Sequence, residues 1–80
     1  MKPNLEKIDD AVLALLHLTS FTEGRGEFAA TCAWKGHDWE ALDRLHQKGL
    51  IADPKNKNKS VVFTDDGKRR AAELFEQLFA

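Results

Sequence analysis

The side chains best suited to chemistry in this sequence are cations. Lys55, Lys57 and Lys59 alternate with Asn56 and Asn58 in one polar run. Ammonium groups so placed can each neutralise a phosphate. They can also do no more than keep a turn soluble and guard a strand edge. Upstream, Arg44, Gln47 and Lys48 lie in a stretch free of Gly and Pro. Arginine and glutamine on one helix face can read guanine and adenine edges. The same residues also describe an ordinary solvated face, with Glu40 and Arg44 as an i,i+4 pair. Downstream, Lys68, Arg69 and Arg70 could add phosphate contacts.

Other reactive residues are scattered. Cys32, His37 and His46 have neither CxxC nor i,i+4 spacing, so no metal ligand set is expected. Asp43 and His46 lie three apart, but no nucleophile is placed beside them. The expectation is therefore no catalytic residue, no cofactor and no enzyme. Gly24-Arg25-Gly26 could cradle an anion through backbone N–H groups. It lacks the lysine and the strand-to-helix context of a phosphate loop, and Glu23 and Glu27 flank it, so it reads as a plain loop. Trp34 and Trp39 could stack on bases, yet tryptophans beside a turn more commonly anchor a core, and they are read as core here.

Charge is unevenly distributed. The 80-residue chain has a net charge of -1. Residues 1–43 hold four basic and eight acidic residues, whereas residues 44–70 hold eight basic and three acidic ones. Positive charge thus gathers around the lysine run and the segment after it. One domain of this length buries roughly 60% of its unfolded surface, so its core is thin. With a single cysteine no intrachain disulfide can staple it, and oligomerisation is a common remedy. No run approaches the ~20 apolar residues of a membrane helix. The N-terminal MKPNLEKIDD lacks the apolar stretch of a signal peptide, which predicts a cytoplasmic protein without membrane contact.

The elements that position these groups follow from periodicity. Asn4 caps a first helix running to about Leu18, with Leu5, Ile8, Val12, Leu15 and Leu16 on one face and His17 on the polar side. Leu13 and Leu18 widen that apolar surface. Residues 19–26 read as loop. Glu27 to about Ala33 reads as a short second helix with Phe28 and Cys32 facing in. Asp38 to Lys48 reads as a third helix, with Trp39, Leu42, Leu45 and His46 on the apolar side. Glu40, Asp43, Arg44, Gln47 and Lys48 face out and sum to zero charge. Gly49 suits the left-handed turn that ends it. Leu50-Ile51-Ala52 is a short extended run, Asp53-Pro54 starts a turn, and Val61-Val62-Phe63-Thr64 is a strand by composition. Thr64 caps a last helix over Asp65–Phe79. Its apolar arc of Ala71, Ala72, Leu74, Phe75, Leu78 and Phe79 is broad for so small a core. Leu13, Leu74, Phe75, Leu78 and Phe79 are accordingly candidates for a homodimer or protein-partner face, unless Phe75 and Phe79 pack on the first helix.

The order helix, helix, helix, β-hairpin, helix, with LDRLHQKGLI followed by KSVVFTDDGKRRAAEL, resembles the winged helix-turn-helix superfamily. The pattern is that of small bacterial MarR- and PadR-type regulators, here carried by Leu42, Leu45, Gly49, Leu50, Ile51, Phe63, Thr64 and Gly67. WKGHDWEALDRLH is similar to a family of short bacterial proteins known only as a domain of unknown function. The superfamily resemblance implies a mainly α single domain of about four helices and a two-stranded wing. It implies a transcriptional regulator that binds double-stranded DNA. The helix 38–48 would be the recognition helix and enter the major groove with its N-terminal end, with Arg44, Gln47 and Lys48 among its DNA contacts. The wing, Asp53 to Ser60, would touch backbone or minor groove, with Lys55, Lys57 and Lys59, joined by Lys68 and Arg69, placed for phosphate contact. A second expectation from the residues alone is a protein-interaction module that binds no DNA.

Overall fold

A computed structural model describes residues 2–80; the side chain of Phe28 is outside the described set, and with it the expectation that it faces in. Three α-helices share a core with one face of a three-stranded antiparallel sheet, with α1 packed on β2 and on both other helices. The elements run α1 (Leu5–Leu18), β1 (Phe21–Glu23), β2 (Ala30–Trp34), α2 (Trp39–Gln47), β3 (Ser60–Val62) and α3 (Asp65–Phe79), with one 3-10 turn at Gly26–Phe28.

The three helix starts form where the sequence predicts. Asn4, Asp38 and Thr64 each accept a hydrogen bond from the backbone N–H three residues on, at Lys7, Ala41 and Gly67. Each relieves one of the donors that a helix start leaves unpaired. Gly49 ends α2 with φ +77, a conformation that costs a Cβ-bearing residue.

The second expected helix is absent, and a strand takes its place. Residues 30–34 form β2, the centre of the sheet, with β1 on one side and β3 on the other. Phe28 and Cys32 fit a helical repeat of four, but a short apolar run does not distinguish helix from strand by period. Thr31 and Trp34 favour a pleated surface, and Gly24 (φ 89) and Gly26 (φ 60) supply the turn that folds β1 back onto it. The described residues thus form three α-helices rather than four. Residues 21–23, expected as loop, are a strand.

The expected wing hairpin is also reduced. Ile51 meets Phe63 only in an isolated bridge, extended by Ala52 N–H donating to the Val62 carbonyl at 2.8 Å. The main partner of β3 is β2, in the register Cys32↔Val62, Ala33↔Val61, Trp34↔Ser60. Ala33 and Val61 face the helices and are buried, together with Val12, Leu13, Leu16, Leu42, Leu45, Ile51, Ala71 and Leu74. Trp34 and Val62 lie on the opposite, open face. On α1 the buried arc centres on Asp9, Val12, Leu13 and Leu16, while Leu5 and Leu15 are exposed. The helix is covered by both α2 and α3, which rotates its inner face from the stripe that hydrophobicity alone suggests.

Besides its packing on α1, α3 is tied at its start to the turn after α2 by one tight seam. Thr64 Oγ1 donates to the Gly49 carbonyl at 2.7 Å and accepts from Gly67 N–H at 2.9 Å. Thr64 N–H donates to the Leu50 carbonyl at 3.1 Å. A Cβ on Gly67 would stand 1.6 Å from that carbonyl oxygen, so α3 could not close on α2. Gly67→Ala is expected to cost at least about 2 kcal/mol, lowering the thermal midpoint by roughly 10 °C. Gly36→Ala, which meets nothing within 4 Å, should leave the midpoint nearly unchanged. Circular-dichroism melts of both variants check this.

Candidate nucleic-acid interface

The lysine run sits on an ordered loop. Asp53 Oδ1 accepts from Lys55 N–H at 2.9 Å, and Asn56 Oδ1 accepts from Asn58 N–H at 2.9 Å. Such side-chain-to-backbone bonds are the reason Asp and Asn favour turns. The loop is braced from β2 by Lys35. Its Nζ donates to the Pro54 carbonyl at 2.7 Å, the Asn56 carbonyl at 3.2 Å and Asn56 Oδ1 at 3.0 Å. The same ammonium stands 5.7 Å from the centre of the Trp39 ring, a cation–π arrangement. Lys55, Lys57 and Lys59 remain exposed on this frame. Lys55 has only a long contact of 3.9 Å to Asp43. Periodicity could not reveal Lys35, because the brace joins residues about twenty positions apart.

The outward face of α2 is arranged differently from the expectation. Arg44 and Lys48 are tied to Asp9 of α1. Arg44 Nε donates to both Asp9 carboxylate oxygens at 2.9 and 3.0 Å, and its Nη2 lies 2.8 Å from Oδ1. Lys48 Nζ donates to Oδ2 at 2.9 Å. The anticipated Glu40–Arg44 pair does not form; Arg44 takes the buried carboxylate instead. Gln47 is exposed. Arg69 is likewise paired, with Asp66 at 2.8 Å, and Lys68 is exposed.

Both tryptophans depart from the expected core role. Trp34 is 56% and Trp39 53% exposed. Trp34 is on the open face of β2, where strand alternation turns it away from Ala33 and the helices. Trp39 opens the first turn of α2, where it meets Lys35 rather than the core. His46, expected on the apolar side, is exposed, and its Nδ1 donates to the Ile51 carbonyl at 3.0 Å.

Of the residues anticipated at a dimer face, Leu13 and Leu74 are 1% and 3% exposed. They fill the core of one chain and offer no surface to a second. Phe75 is half-buried, with its ring 5.3 Å from His17 and 5.5 Å from Phe79. Leu78 and Phe79 are exposed on the final turn of α3. Among the described residues, no three His, Cys, Asp or Glu side chains gather where they could hold a metal ion. No described helix is long and apolar enough to cross a membrane.

A family model for the Domain of unknown function (DUF6429) matches residues 4–80, which include every helix and strand of the fold. The chain belongs to this family. This DUF6429 domain is also 57% identical over 79 residues to the uncharacterised protein y4hR of Sinorhizobium fredii, an alignment covering 99% of this chain and 97% of that protein. No solved structure matches it significantly.

Asp9 is the residue of this DUF6429 domain that sequence patterning hides. It stands among polar positions of α1 and carries no motif, yet it is 1% exposed. Burial pushes its carboxyl up, but the hydrogen bonds and charges of Arg44 and Lys48 outweigh that and hold it below its ordinary 3.8. The unfolded chain therefore binds more protons in acid. The stabilisation is complete above about pH 5 and is lost as pH falls through 3.8 and below. Asp9→Asn should cost about 2 kcal/mol near neutral pH, less than a fully buried pair because both cations reach solvent. It should also flatten the acid limb. Urea midpoints between about pH 6 and about pH 3 measure both effects. Unchanged stability at neutral pH contradicts the assignment.

Proposed function

We propose that this domain is a non-enzymatic nucleic-acid-binding module of winged-helix type, with the loop 53–60 as its wing and principal contact. The observation that carries the proposal is the Lys35 brace. An ammonium group fixes the loop from within while Lys55, Lys57 and Lys59 stay at its surface. A preformed cationic loop binds phosphates without first losing conformational freedom. The leucine-spaced α2, its glycine stop, the lysine loop and β3 follow one another in the order the resemblance implies. The role differs from a typical reader of the major groove, since Arg44 and Lys48 are engaged by Asp9 and the rest of the α2 face carries Glu40 and Asp43. Backbone contact, rather than base readout by α2, is the term this geometry favours. A transcriptional role in the cytoplasm is the setting proposed for it.

A second reading is favoured by Leu78 and Phe79, two large apolar side chains left exposed beside Phe75. Under it the last turn of α3 meets a second copy or a protein partner, and Phe79→Asp would shift a dimer to monomer in sedimentation velocity.

Fluorescence anisotropy of a labelled mixed-sequence duplex, titrated at several salt concentrations, tests the first reading. With three lysines on phosphates, log K should fall against log salt with a slope of about -3. Reversing Lys55, Lys57 and Lys59 together to Glu should abolish binding. Unchanged affinity in that variant, or no binding at low salt, overturns the proposal.

A further inference from the structure

We infer that the open face of the sheet is a stacking site for an unpaired nucleotide base, with the neighbouring lysines holding the backbone of the strand that carries it. This rests on the nucleic-acid reading of loop 53–60 and adds to it a preference for single strands over duplexes.

An antiparallel sheet with one face packed on helices ordinarily turns polar side chains outward on the other. Here each strand places an apolar group on the outer face: Phe21 on β1, Trp34 on β2 and Val62 on β3. The Phe21 and Trp34 ring centres are 6.1 Å apart and tilted by 43°. Between them and the lysine loop lies an open cleft of about 360 Å³, whose walls also include Glu23, Asn58, Lys59 and Ser60. Cys32 forms the middle of its floor by register, flanked by Phe21 and Val62. The floor is closed there, since Cys32 is buried and its thiol donates to Glu23 Oε2 at 3.8 Å.

The occupant follows from the chemistry of the rim. An exposed indole offers a flat π-face, and bases stack on such faces irrespective of sequence. Lys59 stands on the rim beside it, with Lys57 and Lys55 continuing along the loop, so a strand stacked at Trp34 has cations beside its phosphates. Asn58 and Ser60 can bond a base edge. Glu23 closes the opposite rim and can accept from an exocyclic amino group, but it repels phosphate. That polarity orients base toward β1 and backbone toward the loop. Within a duplex both faces of each interior base are covered by stacked neighbours, so along a strand Trp34 can serve only an unpaired base.

The test is anisotropy with the full chain and a labelled single strand of roughly eight nucleotides, in parallel with a duplex of the same length. The single strand should bind more tightly than the duplex. Trp34→Ala should weaken single-strand binding about tenfold or more. Leu18→Ala removes an exposed apolar side chain outside the cleft and should change it by no more than about twofold. Trp34 is more than half exposed, so its removal leaves the core intact, and a thermal melt confirms that the variant folds. If a folded Trp34→Ala binds like the wild type while reversal of the loop lysines still abolishes binding, the stacking site is wrong and the loop reading survives. If neither nucleic acid binds at low salt, both fall.

Discussion

A carboxylate in a protein interior must be met by charge or it will not remain ionised. Asp9 is such a group, and much of the domain is arranged to satisfy it. Its two oxygens receive Arg44 and Lys48, which lie four residues apart and so on one face of α2. The result fixes both the distance and the rotation between α1 and α2. It also settles what the outer face of α2 has left to offer. With its two cations turned to α1, that face keeps Glu40, Asp43 and Gln47. The helix is thereby tied to α1, and the exposed lysine run lies on the loop beyond it.

The same economy recurs at the other seams. A chain of this length has too little apolar surface to rely on its core alone. Single polar groups therefore tie elements that hydrophobic contact would leave loose. The Thr64 hydroxyl stitches the end of α2 to the start of α3, and Gly67 lets the Leu50 carbonyl approach where any side chain would block it. The Lys35 ammonium ties β2 to the turn after Pro54. Each node joins segments distant in sequence, and each makes one residue hard to replace.

How far the sequence revealed this depends on the range of the interaction. Helix caps are local, so Asn4, Asp38, Thr64 and the Gly49 stop can be read directly from residue types and spacing. α2 and α3 follow for the same reason. The stretch around Cys32 could not be resolved, because its short apolar run satisfies a helical and a strand period equally well. The deciding contacts, with β1 and β3, lie elsewhere in the chain. Trp34 and Trp39 mislead because hydrophobicity predicts burial only on average, and strand alternation placed Trp34 on the uncovered face. Asp9 and Lys35 gave no signal, since nothing in a sequence marks a charge whose partner is more than fifteen residues away. Of the anticipated contact residues, the loop lysines kept their exposure, whereas Arg44, Lys48, Leu13 and Leu74 serve the fold.

Partner contact is proposed to lie on the lysine loop and open sheet face rather than on α2. Amide chemical-shift mapping of the labelled domain, titrated with a short single strand, addresses it residue by residue. Shifts gathered at Phe21–Glu23, Cys32–Lys35 and Lys55–Val62, with Glu40–Lys48 quiet, are the predicted result. Shifts concentrated on Glu40–Lys48 would mean that Asp9 releases its cations to a ligand, and that α2 is the contact after all.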